Sequence, residues 1–395
     1  MRQETIPRSQ VVLILIAYLG FVALGLPDGL LGVAWPSIQG SFSLSVDAIG
    51  ALLVAVTVGF LLAGTASGRV IARIGVGRYA ALGSLIRATA LLGYSVAGDW
   101  SAMVGLGFAF GLGSGCIDTG MNTYFATNLS SGLMNWLHAA FGLGATLGPV
   151  LMTSVLAAGR SWQLGYVVVG LIQAVFVLAF SLTWRRWQLR APASTDAEVV
   201  GPAKRPAALA TLRLPVVWLG IALFFSYTGI ESSASQWVYS LLTEARGVDV
   251  ALAGSLVSIY WGSLTVGRLL FGLVVDRLSK VRLLRVVLAS VVAGAGMIWI
   301  GTPDMLSFAG IALMGLALSS VFPLFVSLTP RRVGEEHAPN AIGFQMAAAG
   351  TGFALIPAVA GVMARWWSLE VVGPFLVAIS VAMFLLHEAV ARYRQ

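Results

Sequence analysis

The sequence predicts an all-α membrane protein of about twelve transmembrane helices in two six-helix bundles. Three observations predict it. Hydrophobic residues make up 58% of the 395 residues and charged ones only 10%, with a mean hydropathy of +0.89; a water-soluble chain carries about a quarter charged residues. The apolar stretches run about 20 residues, the length a helix needs to cross the hydrocarbon core. They also lack the two-residue alternation of a barrel strand, and in a bilayer only helices and closed barrels satisfy their own backbone hydrogen bonds.

The spans expected from hydropathy are 11–36, 48–68, 79–97, 102–126, 133–158 and 163–184, then 214–242, 250–272, 283–302, 306–329, 340–364 and 371–391. Residues 1–184 form the first bundle, 185–213 a linker and 214–395 the second bundle. The linker holds Ala191-Pro192-Ala193-Ser194-Thr195-Asp196 and Pro202-Ala203-Lys204-Arg205-Pro206, polar segments of low packing density. The first stretch leads from Met1-Arg2-Gln3-Glu4 to Trp35-Pro36 without a small-residue cleavage site, so it is expected to be a retained helix and not a signal peptide.

An even number of spans places both termini on one side. About 19 of the 24 Lys and Arg residues fall at the termini and in the even-numbered loops, with Arg160, Arg246 and Arg365 in the odd-numbered ones. Both termini are therefore expected in the cytoplasm. The net charge of +8 is spread between spans, which argues against a nucleic-acid partner. The single cysteine, Cys116, excludes a disulfide framework and a Cys-based zinc site. No phosphate-binding loop, zinc-protease helix or nucleophile elbow is present, so neither an enzyme nor a cofactor or metal site is expected.

The two halves resemble each other at a nearly constant offset. Gly68-Arg69-Val70-Ile71-Ala72-Arg73-Ile74-Gly75 answers Gly272-Leu273-Val274-Val275-Asp276-Arg277-Leu278-Ser279. Asp28 answers Glu231, each followed by a tryptophan, Trp35 or Trp237. Gly142-Leu143-Gly144 through Pro149 answers Gly350-Thr351-Gly352 through Pro357. Parallel repeats of this kind belong to transporters that rock two bundles about a central site.

An ionisable side chain inside a span costs several kcal/mol and faces a cavity or a partner. Asp28, Arg87, Asp118, His138 and Glu231 stand well inside the spans. Asp118 and Asn122, four apart, share one helix face, as do Asn135 and His138, three apart. Amides both donate to and accept from hydroxyl groups, so these pairs suit a small polyhydroxylated ligand; interhelical hydrogen bonding is the alternative. In the second half Glu231, Gln236, Trp237 and Gln345 form a comparable set. Trp136, Trp237 and Trp261 offer apolar faces to a sugar ring, whereas Trp35, at a span end, divides between that role and an interfacial anchor, and Trp162, Trp366 and Trp367 are expected at the interface. Asp28, between Gly25-Leu26-Pro27 and Gly29, is expected beside a helix break. Arg268 is expected to pack against the Asp276 loop, and His387 and Glu388 to meet water.

The Gly-x-x-x-Asp-Arg pattern of Gly272 to Arg277 resembles the loop motif of the major facilitator superfamily, and the likeness extends over the whole chain. The first copy departs from it, with Ala72 in the acidic position. The resemblance implies a conformational gate at Arg73, Asp276 and Arg277, with Asp276 carrying the acidic half alone. Within that superfamily the chain is most similar to the fucose permease-like proton-coupled sugar transporters. The segments Gly25-Leu26-Pro27-Asp28-Gly29, Gly113 to Asn122, Met134 to Gly142, Tyr227 to Trp237 and Tyr260 to Arg268 carry this likeness; Asp118 stands where that family usually has Glu. It implies that Asp28 and Asp118 are the proton-coupling and sugar-sensing carboxylates; the other ionisable residues inside the spans, Arg87, His138 and Glu231, are candidate charge partners, and a permanent packing salt bridge of either aspartate with Arg87 or His138 is the alternative.

The expected function is symport of a sugar or related polyol with protons, by alternating exposure of one central site between the bundles, in a monomer of the cell inner membrane. The alternative is a proton-driven drug or metabolite exporter of the same fold. Gly144-Ala145-Thr146-Leu147-Gly148-Pro149 partly resembles the exporters' fifth-helix motif, while no Arg lies between Ala102 and Thr127, where exporters carry one.

Overall fold

The computed structural model describes residues 8–189, 207–274, 279–301 and 304–392. Every regular element among them is helical. The first half comprises α1 (Arg8–Phe42), α2 (Ile49–Ile74), α3 (Val76–Tyr94), α4 (Trp100–Asn128), α5 (Ser131–Ala157) and α6 (Trp162–Thr183). A short α7 (Ala208–Leu212) precedes α8 (Pro215–Ser240), α9 (Val250–Val274), α10 (Lys280–Ile300), α11 (Asp304–Leu318), α12 (Val321–Val333), α13 (Ala338–Trp366) and α14 (Val372–Arg392). Among the described residues, 11 helical stretches are long and apolar enough to cross a membrane, α11 and α12 counting as one. The stretch expected over 79–97 is present as α3, but Arg78 and Arg87 within its 19 residues lower its apolarity.

The described chain falls into two compact units, Met1–Ser43 with Val54–Pro192, and Leu44–Leu53 with Ala193–Gln395. In the first, α1 packs along α5 with almost no side-chain layer between. A Cβ on Gly25 would strike the Phe141 carbonyl and one on Gly29 the Ala145 carbonyl; in return Gly144 faces the Val22 carbonyl and Gly148 that of Leu26. Small residues at such positions let membrane helices gain van der Waals contact where apolar association has little to offer. The second unit repeats the device between α8 and α13, where Gly352 faces the Phe225 carbonyl. The glycine-rich segments that matched in sequence therefore make the same contact in both units. On α6, Leu171, Val175, Leu178 and Leu182 form an exposed apolar stripe, the surface a lipid-facing helix shows.

Four local expectations are corrected. The break beside Asp28 is absent: α1 runs continuously through both Pro27 and Pro36, since a neighbouring helix as close as α5 holds a proline-containing turn in register. The stretch over 306–329 is two helices, α11 and α12, separated at Ser319–Ser320. His387 does not meet water; it is wholly buried on α14 and stacks on Phe325 of α12, with ring centroids 6.5 Å apart. Trp162 is buried and donates from Nε1 to Ser41 Oγ at 2.9 Å, whereas Trp366 and Trp367 are exposed as expected.

Candidate functional site

The first unit concentrates its buried charge around Arg87. This residue, midway along α3, is 0% exposed. Its Nη2 donates to the Leu24 carbonyl of α1 at 2.6 Å, and its guanidinium carbon lies 4.8 Å from the Phe110 ring centroid of α4. Its Nε and Nη1 have no hydrogen-bond partner among the described residues. Asp28, half-buried one turn after Leu24, acts on Arg87 electrostatically. A buried guanidinium with two unanswered N–H groups and a carboxylate in its field is a charge site with bonding capacity to spare.

Asp118 and Asn122 stand one turn apart on α4, both half-buried, and the Asn122 amide hydrogen-bonds the Asp118 carboxylate. The shared face inferred from their spacing is thus occupied by a contact between them. On α5, Asn135 and His138 are exposed, and the His138 ring meets Phe21 of α1 edge-on at 6.1 Å. Trp136 is 60% exposed, on the stripe shared with Leu143, Leu147 and Val150.

The second unit builds a different cluster. The Tyr227 hydroxyl donates to Glu231 Oε2, one turn along α8. Arg268 of α9 approaches the same oxygen at 4.0 Å, and the Tyr260 hydroxyl donates to the Glu231 backbone carbonyl at 3.0 Å. Arg268 therefore approaches Glu231; the Asp276 loop against which it is expected to pack lies outside the described residues. Tyr227 and Tyr260 were not singled out from the sequence. The four-residue spacing of Tyr227 and Glu231 was a usable signal for the first; the position of Tyr260 required the packing of α9 on α8.

The remaining residues of the second-half set are engaged in links between helices. Trp237 is wholly buried and donates from Nε1 to the Pro357 carbonyl at 2.9 Å. Trp261 donates to Ser235 Oγ at 3.0 Å, and Gln345 Oε1 accepts from Thr329 Oγ1 at 3.0 Å. Gln236 is buried with its Oε1 unpartnered among the described residues. Of the expected gate residues, Arg73 is exposed at the end of α2, while Asp276 and Arg277 lie outside the described residues. No group of three or more His, Cys, Asp or Glu residues able to hold a metal ion occurs among the described residues.

A sequence profile of the Major Facilitator Superfamily matches residues 17–345. The chain belongs to that superfamily. It is 24% identical to the glucose/mannose transporter GlcP of Bacillus subtilis over 90% of this chain and 88% of that one. It is also 24% identical to bypass of stop codon protein 6 of Saccharomyces cerevisiae, over 97% of this chain and 82% of the relative. The fold is similar to that of a mutant of the nucleoside transporter NupG, with a TM-score of 0.79 and 15% identity over 96% of this chain and 99% of the other. A bacterial homologue of the human lysosomal transporter Spinster has a TM-score of 0.71 at 16% identity, covering 98% of both chains. This superfamily member is a multi-pass membrane transporter of small molecules and not an enzyme.

Proposed function

We propose that this transporter is a proton-coupled symporter of a sugar or related polyol, working by alternating exposure of its binding site. The observation that carries the reading is Asp28 in the field of the wholly buried Arg87, whose guanidinium retains unanswered N–H groups among the described residues. Protonating Asp28 cancels its attraction for Arg87 and deprotonating it restores that attraction, so a proton on this carboxyl group changes how α1 is held against α3. Asp118 is the second proton-coupling group, with its carboxylate held by Asn122. His138 and Glu231 join Arg87 as charge partners.

Asn122, Asn135, Trp136, Gln236, Trp237, Trp261 and Gln345 are the substrate-binding set. Because Trp237, Trp261 and Gln345 spend their polar atoms on helix links, binding by them requires those links to open or their apolar faces to serve. The glucose/mannose transporter among the relatives supports a hexose. Arg73, Asp276 and Arg277 form the conformational gate. The protein acts as a monomer in the cell inner membrane with both termini cytoplasmic, the orientation that the distribution of Lys and Arg favours. The glycines behind the exporter alternative, Gly144 and Gly148, are accounted for by their contact with α1.

Purified protein in proteoliposomes, given an inward proton gradient and a panel of hexoses, polyols and nucleosides, tests the reading. Uphill accumulation of at least one sugar or polyol, abolished by a protonophore, is expected. Accumulation that ignores the gradient, or that is confined to non-sugar compounds, overturns it.

A further inference from the structure

The first unit has a cavity of about 570 Å³ where α2 turns into α3 beside the end of α6. Ala72, Gly75 and Val76 line one side and Trp184, Arg185 and Trp187 the other. The Arg78 guanidinium carbon sits 3.7 Å from the Trp184 ring centroid and that of Arg185 sits 5.0 Å from it. Arg73 stands between lining residues Ala72 and Ile74, and Arg186 follows Arg185. The Arg78 and Arg185 guanidinium groups thus meet on one tryptophan at this corner, with Arg73 and Arg186 adjacent along the chain. Among the described residues none of them forms an ion pair. No acidic residue occurs anywhere in 48–98 or 119–195, the stretches that supply α2, α3, α5 and α6.

A basic cavity of the second unit is built differently. It measures about 440 Å³, lies between α10 and α14, and is lined by Arg285, Glu388 and Arg392. There Glu388 receives both Nε and Nη2 of Arg285, at 2.6 and 3.0 Å. The protein supplies the counter-charge itself at that corner. At the first corner it does not: Ala72 stands in the acidic position, and neither α6 nor the residues after it up to 195 carry an acid.

We propose that the α2–α3–α6 corner binds the phosphate of an anionic phospholipid headgroup. Guanidinium groups match phosphate oxygens in geometry and charge, and basic pockets beside transmembrane helices take such headgroups. Two features select a lipid over a free phosphate. The corner lies at the ends of membrane-spanning helices, at headgroup depth, and the exposed Leu178 and Leu182 of α6 continue from it as an apolar stripe for an acyl chain. Trp184 adds the aromatic character that favours the interface. Assignment to the cytoplasmic leaflet rests on the orientation proposed above; the binding itself does not.

The test uses the full chain purified in a neutral detergent and follows its thermal midpoint, since a ligand that binds the folded state raises it. Dioleoyl phosphatidylglycerol, dioleoyl phosphatidylcholine and inorganic phosphate are titrated separately. Phosphatidylglycerol is expected to raise the midpoint at a concentration about tenfold lower than phosphatidylcholine. The Arg78→Gln/Arg185→Gln variant is expected to lose that preference, and Ala72→Asp, which restores an acid at an exposed position, to weaken it. Arg285→Gln at the other corner is expected to keep it. Equal response to the two lipids, a full response in both first-corner variants, or a response reproduced by inorganic phosphate alone overturns the proposal. If Arg78→Gln/Arg185→Gln does not yield folded protein, Ala72→Asp decides. Transport is not measured, so failure here is separate from failure of the symport reading.

Discussion

The two units share a scaffold but treat buried charge in opposite ways. In the first, Arg87 is sealed inside with one carbonyl bond and two N–H groups unanswered among the described residues, and Asp28 acts on it electrostatically. In the second, Glu231 is surrounded by the Tyr227 hydroxyl and the Arg268 guanidinium. The same contrast returns at the corners, where Arg78 and Arg185 share Trp184 without an ion pair among the described residues in one unit and Arg285 is matched by Glu388 in the other. A completed charge cluster resists change, because altering it leaves a buried group exposed to desolvation without compensation. An incomplete one responds to a proton or a ligand. On the symport reading proposed above, the responsive chemistry belongs to the first unit and the rigid reference to the second.

The strongest way to break this comparison is to neutralise the carboxylates separately. Asp28→Asn and Asp118→Asn are each expected to abolish uphill accumulation in proteoliposomes while protein yield stays near normal. Glu231→Gln is expected to leave coupling in place. Accumulation that survives both aspartate changes, or is lost only with Glu231→Gln, reverses the assignment of the two units.

The shared scaffold is tested by Gly144→Val and Gly352→Val, which drive a side chain into the Val22 and Phe225 carbonyls. Overpacking of this kind costs about 1–3 kcal/mol or more. Both variants should therefore show a similar fall in thermal midpoint or in monodisperse yield. A large effect in one unit alone would mean that the repeat is not structural.

Glu231→Gln sharpens the second unit's part. It weakens the contact with Arg268 and the charge-assisted bond from Tyr227, for an expected loss of about 1–3 kcal/mol, read as a lower thermal midpoint. An unchanged midpoint would show that the cluster is not what rigidifies α8 against α9. The smallest effect is expected at the second corner. In a double-mutant cycle of Arg285→Ala and Glu388→Ala, a partly exposed pair contributes roughly 0.2–1 kcal/mol. A coupling several times larger would make this corner a structural clamp.

Much of this was legible in the chain. The apolar stretches, the repeat linking Asp28 to Glu231 and the glycine matches of α5 and α13 all follow from spacing along one dimension. The ionisable residues inside the apolar stretches were legible too, because charge there is conspicuous, but which of them are buried was not: His138 is exposed and His387 is wholly buried. Nor was pairing. The contact of Arg268 with Glu231 was not given by spacing; His387 looked like a span-end residue and stacks on Phe325. Pro27 looked like a break, and α1 passes straight through it.

The sequence by itself therefore determined which segments are apolar and long enough to span a membrane, which helix faces carry polar groups, and which ionisable residues stand inside the apolar stretches. A helix repeat and a bilayer thickness suffice for those properties. Only the tertiary structure decided partners: Trp237 with the Pro357 carbonyl, Gln345 with Thr329, Arg87 with the Leu24 carbonyl, and the arginines of the α2–α3–α6 corner gathered without an acid. A partner across helices depends on the rotation and axial offset of two rods at once. Neither quantity is encoded in the periodicity of either rod alone.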